Sequence, residues 1–210
     1  MTGPASPRDL VILTADKNCQ FALRGLMTRS RSLRIRTIDP EMHVHPDRDP
    51  GVLWGAHKFL RPFVQTHRYA LVVLDREGCG KETSARDELE SEIERNLQAS
   101  GWDQRGRAIV IDPELEIWVW SDSPHVAGEL GWTSENPELR TWLEAQGYLS
   151  QGALKPIRPK EALDAVLRKV RTPRSSAIYK SLAEKVGLSR CTDPAFQKLR
   201  ATLQEWFPEA

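Results

Sequence analysis

Ala70–Leu71–Val72–Val73–Leu74–Asp75–Arg76–Glu77 is the stretch on which the fold is decided. Its apolar run is too short for a helix of ordinary length and shows no polar alternation. Such a run fits a strand covered on both faces, the usual condition of strands in a parallel sheet. Leu10–Val11–Ile12–Leu13 and Ala108–Ile109–Val110–Ile111 are two further runs of the same kind. Helical patterns separate them. Asn18 is read as the cap of a helix whose apolar side is Phe21, Ala22, Leu23, Leu26 and Met27. A second helix is expected from about His57 to His67, and a third carries Ala85, Leu89, Ile93 and Leu97 as a narrow stripe among charges. Short buried strands alternating with helices predict an α/β fold: a mainly parallel sheet flanked by helices. Ligands of such sheets sit beyond the carboxyl ends of the strands.

The remainder is read around that frame. Leu33 to Ile38 alternates and suggests a more exposed strand, and Asp39 to Gly51, with its prolines and aspartates, reads as a loop. Asp112 before Pro113 reads as a helix cap followed by a first-turn proline, with Leu115, Trp118 and Val119 on one face. Another start is expected at Asn136–Pro137. Three short helices should open near Pro159, Ser175–Ser176 and Asp193–Pro194, with Gly187 as a stop. The predicted organisation is a disordered lead-in over 1–8, an α/β domain over 9–150, and a basic helical C-terminal extension over 151–210 packed on the same domain.

The 30 basic and 29 acidic residues leave a net charge of +1, which at first argues against a polyanionic partner. Resolved along the chain the charge is uneven. Residues 1–74 carry 11 basic and 6 acidic side chains, 75–145 carry 7 and 17, and 155–200 carry 12 and 4. That asymmetry suits either a phosphate-rich partner or an internal electrostatic clasp. No apolar run approaches the roughly 18 residues of a spanning helix. Met1 to Leu13 lacks the features of a signal peptide. Cys19, Cys79 and Cys191 offer neither an even disulfide set nor a zinc spacing, so a reduced cytoplasmic compartment is expected.

An acid follows each buried strand: Asp16, then Asp75 and Glu77, then Asp112, Glu114 and Glu116. On one edge of a parallel sheet these carboxylates would repel one another. A hard cation, Mg²⁺ or Mn²⁺, relieves that repulsion through oxygen ligation. Asp16, Asp75 and Glu77 are therefore the candidate metal ligands, with Glu116 as an additional ligand or base. Lys17 and Arg76 are candidates to offset charge on a reacting phosphoryl group. The plainer readings remain open: Asp16 and Asp112 as helix caps, and Glu77 paired in solvent with Arg76 or Lys81.

The pattern resembles the TOPRIM-like fold of primases, topoisomerases, OLD-type nucleases and small bacterial defence-island proteins of the RloB-like kind. Asp16 in Thr14–Ala15–Asp16–Lys17–Asn18 stands where that family usually has glutamate, and Asp75 with Glu77 where it has paired aspartates. Ile111–Asp112–Pro113–Glu114–Leu115–Glu116–Ile117–Trp118 is similar to the strand and Glu-rich helix of the small members, which also end in a basic helical tail. The resemblance covers about residues 9–205, and the whole chain is similar to a small component of methylation-associated anti-phage systems. It implies a Mg²⁺-dependent nuclease or phosphoryl-transfer site, nucleic acid as substrate, and other proteins of the same defence operon as partners. With the family acids substituted, the alternative is an inactive subunit working by protein contacts.

Arg168, Lys169, Arg171 and Arg174 form the core of the basic tail and, with Lys17, are the candidate nucleic-acid contacts. They lack interleaved aromatics, so backbone phosphates rather than bases would be their targets. A solvated helix face, or docking on the acidic 85–95 helix, is the competing reading. His43 and His45 with Asp47 and Asp49 could form a second metal site but read better as a solvated loop. Gly78–Cys79–Gly80–Lys81–Glu82–Thr83 lacks the spacing of a phosphate loop. Of Trp118 and Trp120, one is expected in the core.

Overall fold

The three apolar runs lie side by side as parallel strands of one sheet in the computed structural model, which describes residues 6–121, 123–133, 137–188 and 191–209. The strands are β1 (Arg8–Thr14), β2 (Glu41–Val44), β3 (His67–Asp75) and β4 (Gly106–Ile111), in the order β2-β1-β3-β4. Between and after them come α1 (Lys17–Met27), α2 (Ser30–Leu33), α3 (Arg48–Leu60), α4 (Arg86–Leu97), α5 (Glu116–Val119), α6 (His125–Glu129), α7 (Leu139–Ala145), α8 (Pro159–Val170), α9 (Ser176–Lys185) and α10 (Pro194–Trp206). The chain is an α/β protein with an all-parallel sheet flanked by helices, compatible with a TOPRIM-like arrangement. No helix among the described residues is long and apolar enough to cross a membrane.

Alternation along each strand divides its side chains between two cores. Leu10, Ile12, Leu71, Val73, Ile109 and Ile111 point to one face, where α1 and the buried residues of α8, α9 and α10 join them. Val11, Leu13, Ala70, Val72, Leu74, Ala108 and Val110 point to the other, under Val52, Leu53, Ala56 and Leu60 of α3 and Leu89, Ile93 and Leu97 of α4. Each valine, leucine or isoleucine among them contributes about 1.5–3 kcal/mol on burial. The helices α8, α9 and α10 are thus part of the sheet's own core layer.

The β4 rim of the sheet carries a polar closure. The outward N–H groups of Ala108 and Val110 on β4 donate to Glu94 and Glu90 of α4, each at 3.0 Å. Lys198 of α10 bonds both carboxylates, at 2.8 and 3.1 Å, and Arg86 bonds Glu90 at 2.7 Å. The residue that docks on this acidic helix is thus Lys198 of α10, and not the Arg168–Arg174 stretch for which such docking is the competing reading.

Several local expectations are corrected. Leu33 to Ile38 is not a strand: Leu33 ends α2, Arg34 turns in the left-handed region (φ 59°), and only Ile35 bridges, to Pro208. The edge strand is instead Glu41–Val44, within the expected loop, where the His45 N–H continues the ladder to the Thr14 carbonyl at 2.8 Å. The helix expected from His57 begins at Arg48, because Pro50 falls in its first turn, where a missing N–H removes no helical bond. Asp16, not Asn18, caps α1, its Oδ1 accepting the Cys19 N–H at 2.8 Å. Asp112 caps nothing: α5 opens at Glu116, since the Arg76 and Glu77 N–H groups bond the Ile111 and Pro113 carbonyls and keep the chain extended past β4. Asn136 lies outside the described residues, and α7 starts at Leu139. Of the expected 1–8 lead-in, 1–5 lie outside the described residues and Arg8 already pairs in β1.

Candidate functional site

With the order β2-β1-β3-β4 the chain leaves β1 toward one side and β3 toward the other, so the crevice beyond their carboxyl ends is the switch point of the sheet. Thr14 pairs with Val73, which sets Asp16 of the β1–α1 turn level with Asp75, the last residue of β3. Asp49 enters from the first turn of α3, where its Oδ1 accepts the Asp75 backbone N–H at 2.8 Å. Asp75 pairs with Ile111 on β4, and the short connection after Ile111 returns Glu116 to the same crevice. Asp16, Asp49 and Asp75 are half-buried and Glu116 is buried.

Their charges act on one another. Burial, followed by the charges of Asp49, Glu116 and Asp16, pushes the Asp75 carboxyl well above the usual carboxylate range, against the pull of the Leu115 N–H. Burial and Asp16 likewise raise Asp49, although the Asp75 N–H and Lys160 work the other way. Beneath them the Cys19 thiol, 4% exposed, is pushed up by burial and by all four acids. A thiol held protonated is the opposite of an activated nucleophile.

Two cations from the C-terminal helices complete the group. Arg174 bonds Glu116 Oε1 through Nη2 and Asp164 Oδ1 through Nη1 at 3.0 Å. Tyr179 donates its hydroxyl to the same Glu116 oxygen at 2.6 Å. Lys160, at the start of α8, stands 3.5 Å from Glu114, and Glu114 and Glu116 hold its ammonium charged although burial opposes this.

Glu77 does not join the cluster. The strand ends at Asp75, so the i, i+2 relationship of an extended segment is lost, and Glu77 points to solvent while its N–H bonds Pro113. Glu114, 6% exposed, accepts the Lys160 backbone N–H at 3.1 Å and so caps α8. Asp112 pairs with Arg76 at 2.9 Å. Arg174 is not a free cation: it pairs with Glu116 on one side and with Asp164 on the other. Lys17 is exposed at the start of α1, and Arg168, Lys169 and Arg171 are exposed at the end of α8; none of these has an ion pair among the described residues. Trp120 is the core tryptophan, 3% exposed with its N–H on the Pro159 carbonyl, whereas half-buried Trp118 bonds Asp193 at 2.9 Å.

The donor chemistry suits Mg²⁺ or Mn²⁺: hard anionic oxygens, of which Asp16 Oδ2, Asp49 Oδ2 and Glu116 Oε2 accept no hydrogen bond among the described residues. The spacing is not preassembled. No three His, Cys, Asp or Glu side chains among the described residues stand at the distances of a formed metal site. Each acid is held by one oxygen or its backbone to a structural partner, and Glu116 is held by a cation.

Sequence reasoning missed Lys160 and Tyr179, and weighed Asp49 only within a second metal site with His43, His45 and Asp47 that read better as a solvated loop. Asp49 was visible only as part of an Asp–Pro loop; recognising Pro50 as a first-turn proline would have placed it at a helix start, facing the strand ends. Lys160 and Tyr179 carry no local signal, since tertiary packing alone brings α8 and α9 to the crevice. Comparison of the chain with protein-family models, with curated proteins and with solved structures gives no match.

Proposed function

We propose that the chain carries a divalent-cation-dependent phosphoryl-transfer site that cleaves phosphodiester bonds in nucleic acid. The observation that carries this reading is the convergence of Asp16, Asp49, Asp75 and Glu116 from four separate segments at the switch point of the sheet. Asp16, Asp49 and Asp75 would hold Mg²⁺ or Mn²⁺, with Glu116 as a further ligand. The bound cation supplies a Lewis acid for the phosphoryl oxygens and a more acidic water. Lys160 offsets charge on the reacting phosphate, and Asp49 fixes the Asp75 backbone at the strand end. The exposed Lys17, Arg168, Lys169 and Arg171 hold the phosphate backbone without reading bases. On the same reading the chain belongs to a bacterial anti-phage defence system, as its TOPRIM-like segments at Asp16 and Asp75 imply. The test is incubation of the purified chain with DNA and with RNA in Mg²⁺ or Mn²⁺. Cleavage should vanish in Asp75→Ala; cleavage that persists unchanged in that variant overturns the assignment.

A second reading, an inactive subunit of a multi-component complex, is favoured by one observation. Leu154 and Ile157, 68% and 82% exposed, place two large apolar side chains in solvent on the α7–α8 connection. It expects no metal-dependent cleavage and co-purification with products of adjacent genes.

A further inference from the structure

The guanidinium of Arg174 stands between two environments of unlike character. Inward, it bonds Glu116, whose side chain is 4% exposed. Outward, it bonds Asp164, 41% exposed, and lines an open groove of about 460 Å³ at the junction of α8 and α9. Arg168 and Arg171 line the same groove with Thr172 and Pro173, and neither arginine has an ion pair among the described residues. Three arginines around one acid give this open groove an excess of positive charge suited to an anion. The outer anchor of Arg174 is a solvent-screened pair, which is weak. A phosphate can replace that anchor with two parallel charge-assisted hydrogen bonds.

The inner contact has the opposite consequence. While Arg174 holds Glu116, the negative charge of that residue is cancelled and one of its oxygens is taken by two donors. Drawing Arg174 toward the groove returns a full carboxylate charge to the group formed by Asp16, Asp49 and Asp75. We propose that Arg174 is a displaceable latch: a nucleic-acid phosphate seated in the Arg168–Arg171–Arg174 groove draws the guanidinium off Glu116 and so raises the affinity of the carboxylate centre for a divalent cation. This rests on the cation-dependent reading above and gives it a regulation. The unassembled spacing of the acids is then the latched state. Linkage requires reciprocity: the cation must tighten phosphate binding by the same factor.

Mn²⁺ binding to the full chain, measured by electron paramagnetic resonance of the free ion, tests the latch without any turnover. The probes are a non-cleavable phosphorothioate single strand and inorganic phosphate. In the unmodified chain the single strand should raise Mn²⁺ affinity roughly tenfold, a usual size for coupling between sites. An equal rise with inorganic phosphate also supports the latch and assigns the ligand to the phosphate group; a rise with the single strand alone assigns it to the polynucleotide. Arg174→Met should bind Mn²⁺ tightly with or without the single strand. Should Arg174→Met fail to fold, the exposed pair Arg168→Ala/Arg171→Ala serves instead, and should show no effect of the single strand. Mn²⁺ binding that is lost in Asp75→Ala yet indifferent to the single strand and to Arg174 overturns the latch and leaves the cation-dependent site standing. Absence of Mn²⁺ binding under every condition overturns both.

Discussion

Asp49 accepts the backbone N–H of Asp75 at 2.8 Å, which fastens the first turn of α3 to the last residue of β3. Through that bond a carboxylate from a distant helix becomes part of the strand-end group. It also satisfies a backbone donor just beyond the last pair of the β1–β3 ladder, Thr14 with Val73. Asp49→Ala should orphan that donor and cost about 1–3 kcal/mol. Asp49→Asn keeps an acceptor oxygen and should cost far less. Urea unfolding of the two variants separates them; equal losses would show that the bond contributes nothing.

The crowding around Asp75 has a pH signature. Its folded-state pKa is raised, by burial first and then by Asp49, Glu116 and Asp16, so the folded chain binds this proton more tightly than the unfolded one. The stability it contributes is full below the ordinary carboxylate range and is lost as pH climbs through the raised folded-state value. Asp75→Asn removes the ionisation. Its Tm should exceed that of the parent chain near neutral pH, by about 2–4 °C for each kcal/mol recovered. The advantage should shrink toward pH 4, and a Tm difference constant with pH would contradict the crowding. On the proposed function, the same substitution would strengthen the fold while silencing the site.

Gly25 lies where α1 and α9 touch. A Cβ there would stand 2.5 Å from the Lys180 carbonyl oxygen and 2.9 Å from the Ala183 Cβ, and the first of these is backbone that cannot swing away. Gly25→Ala should therefore push α9 outward and cost about 1–3 kcal/mol as overpacking. Because α9 carries Tyr179, the variant should also loosen the hold on Glu116. Thermal unfolding reports the first effect, and Mn²⁺ affinity above that of the parent chain the second.

Asp193 serves two elements at once. Its Oδ1 accepts the Phe196 N–H at 3.0 Å, capping α10, and the Trp118 ring N–H at 2.9 Å. Asp193→Ala should cost about 2 kcal/mol, toward the upper end for a lost cap, and Asp193→Asn a fraction of that. Tryptophan emission should shift to the red in the alanine variant as Trp118 loses its partner.

The parts of this fold that could be read from sequence are those whose physics is local. Leu10–Leu13, Ala70–Leu74 and Ala108–Ile111 announce themselves because both their faces are buried, which leaves no polar position to blur the run. Glu41–Val44 does not, since an edge strand of four half-buried residues resembles a loop. Arg34 shows the reverse error: alternation from Leu33 to Ile38 arises from a helix end and a left-handed turn, not from a pleat. At the site, Asp16, Asp75 and Glu116 were legible as acids beyond strand ends. Glu77 was misplaced because spacing along the chain says nothing about where a strand stops. Arg174 was read as a free cation because its partners Glu116 and Asp164 lie 58 and 10 residues away in sequence.

The carboxylates of Glu90 and Glu94 on the rim of β4 bear on how copies of this chain can meet. A sheet with two bare rims can be extended indefinitely, one copy after another, into a fibre. Here the β4 rim has its donors filled by side chains that Lys198 holds in place, which among the described residues leaves the β2 rim to accept a strand. Any strand pairing between copies must therefore be rim to like rim, which closes after two and leaves nothing to propagate. The last helix of the chain, by supplying Lys198, sets a limit on the polymer that the sheet could otherwise nucleate.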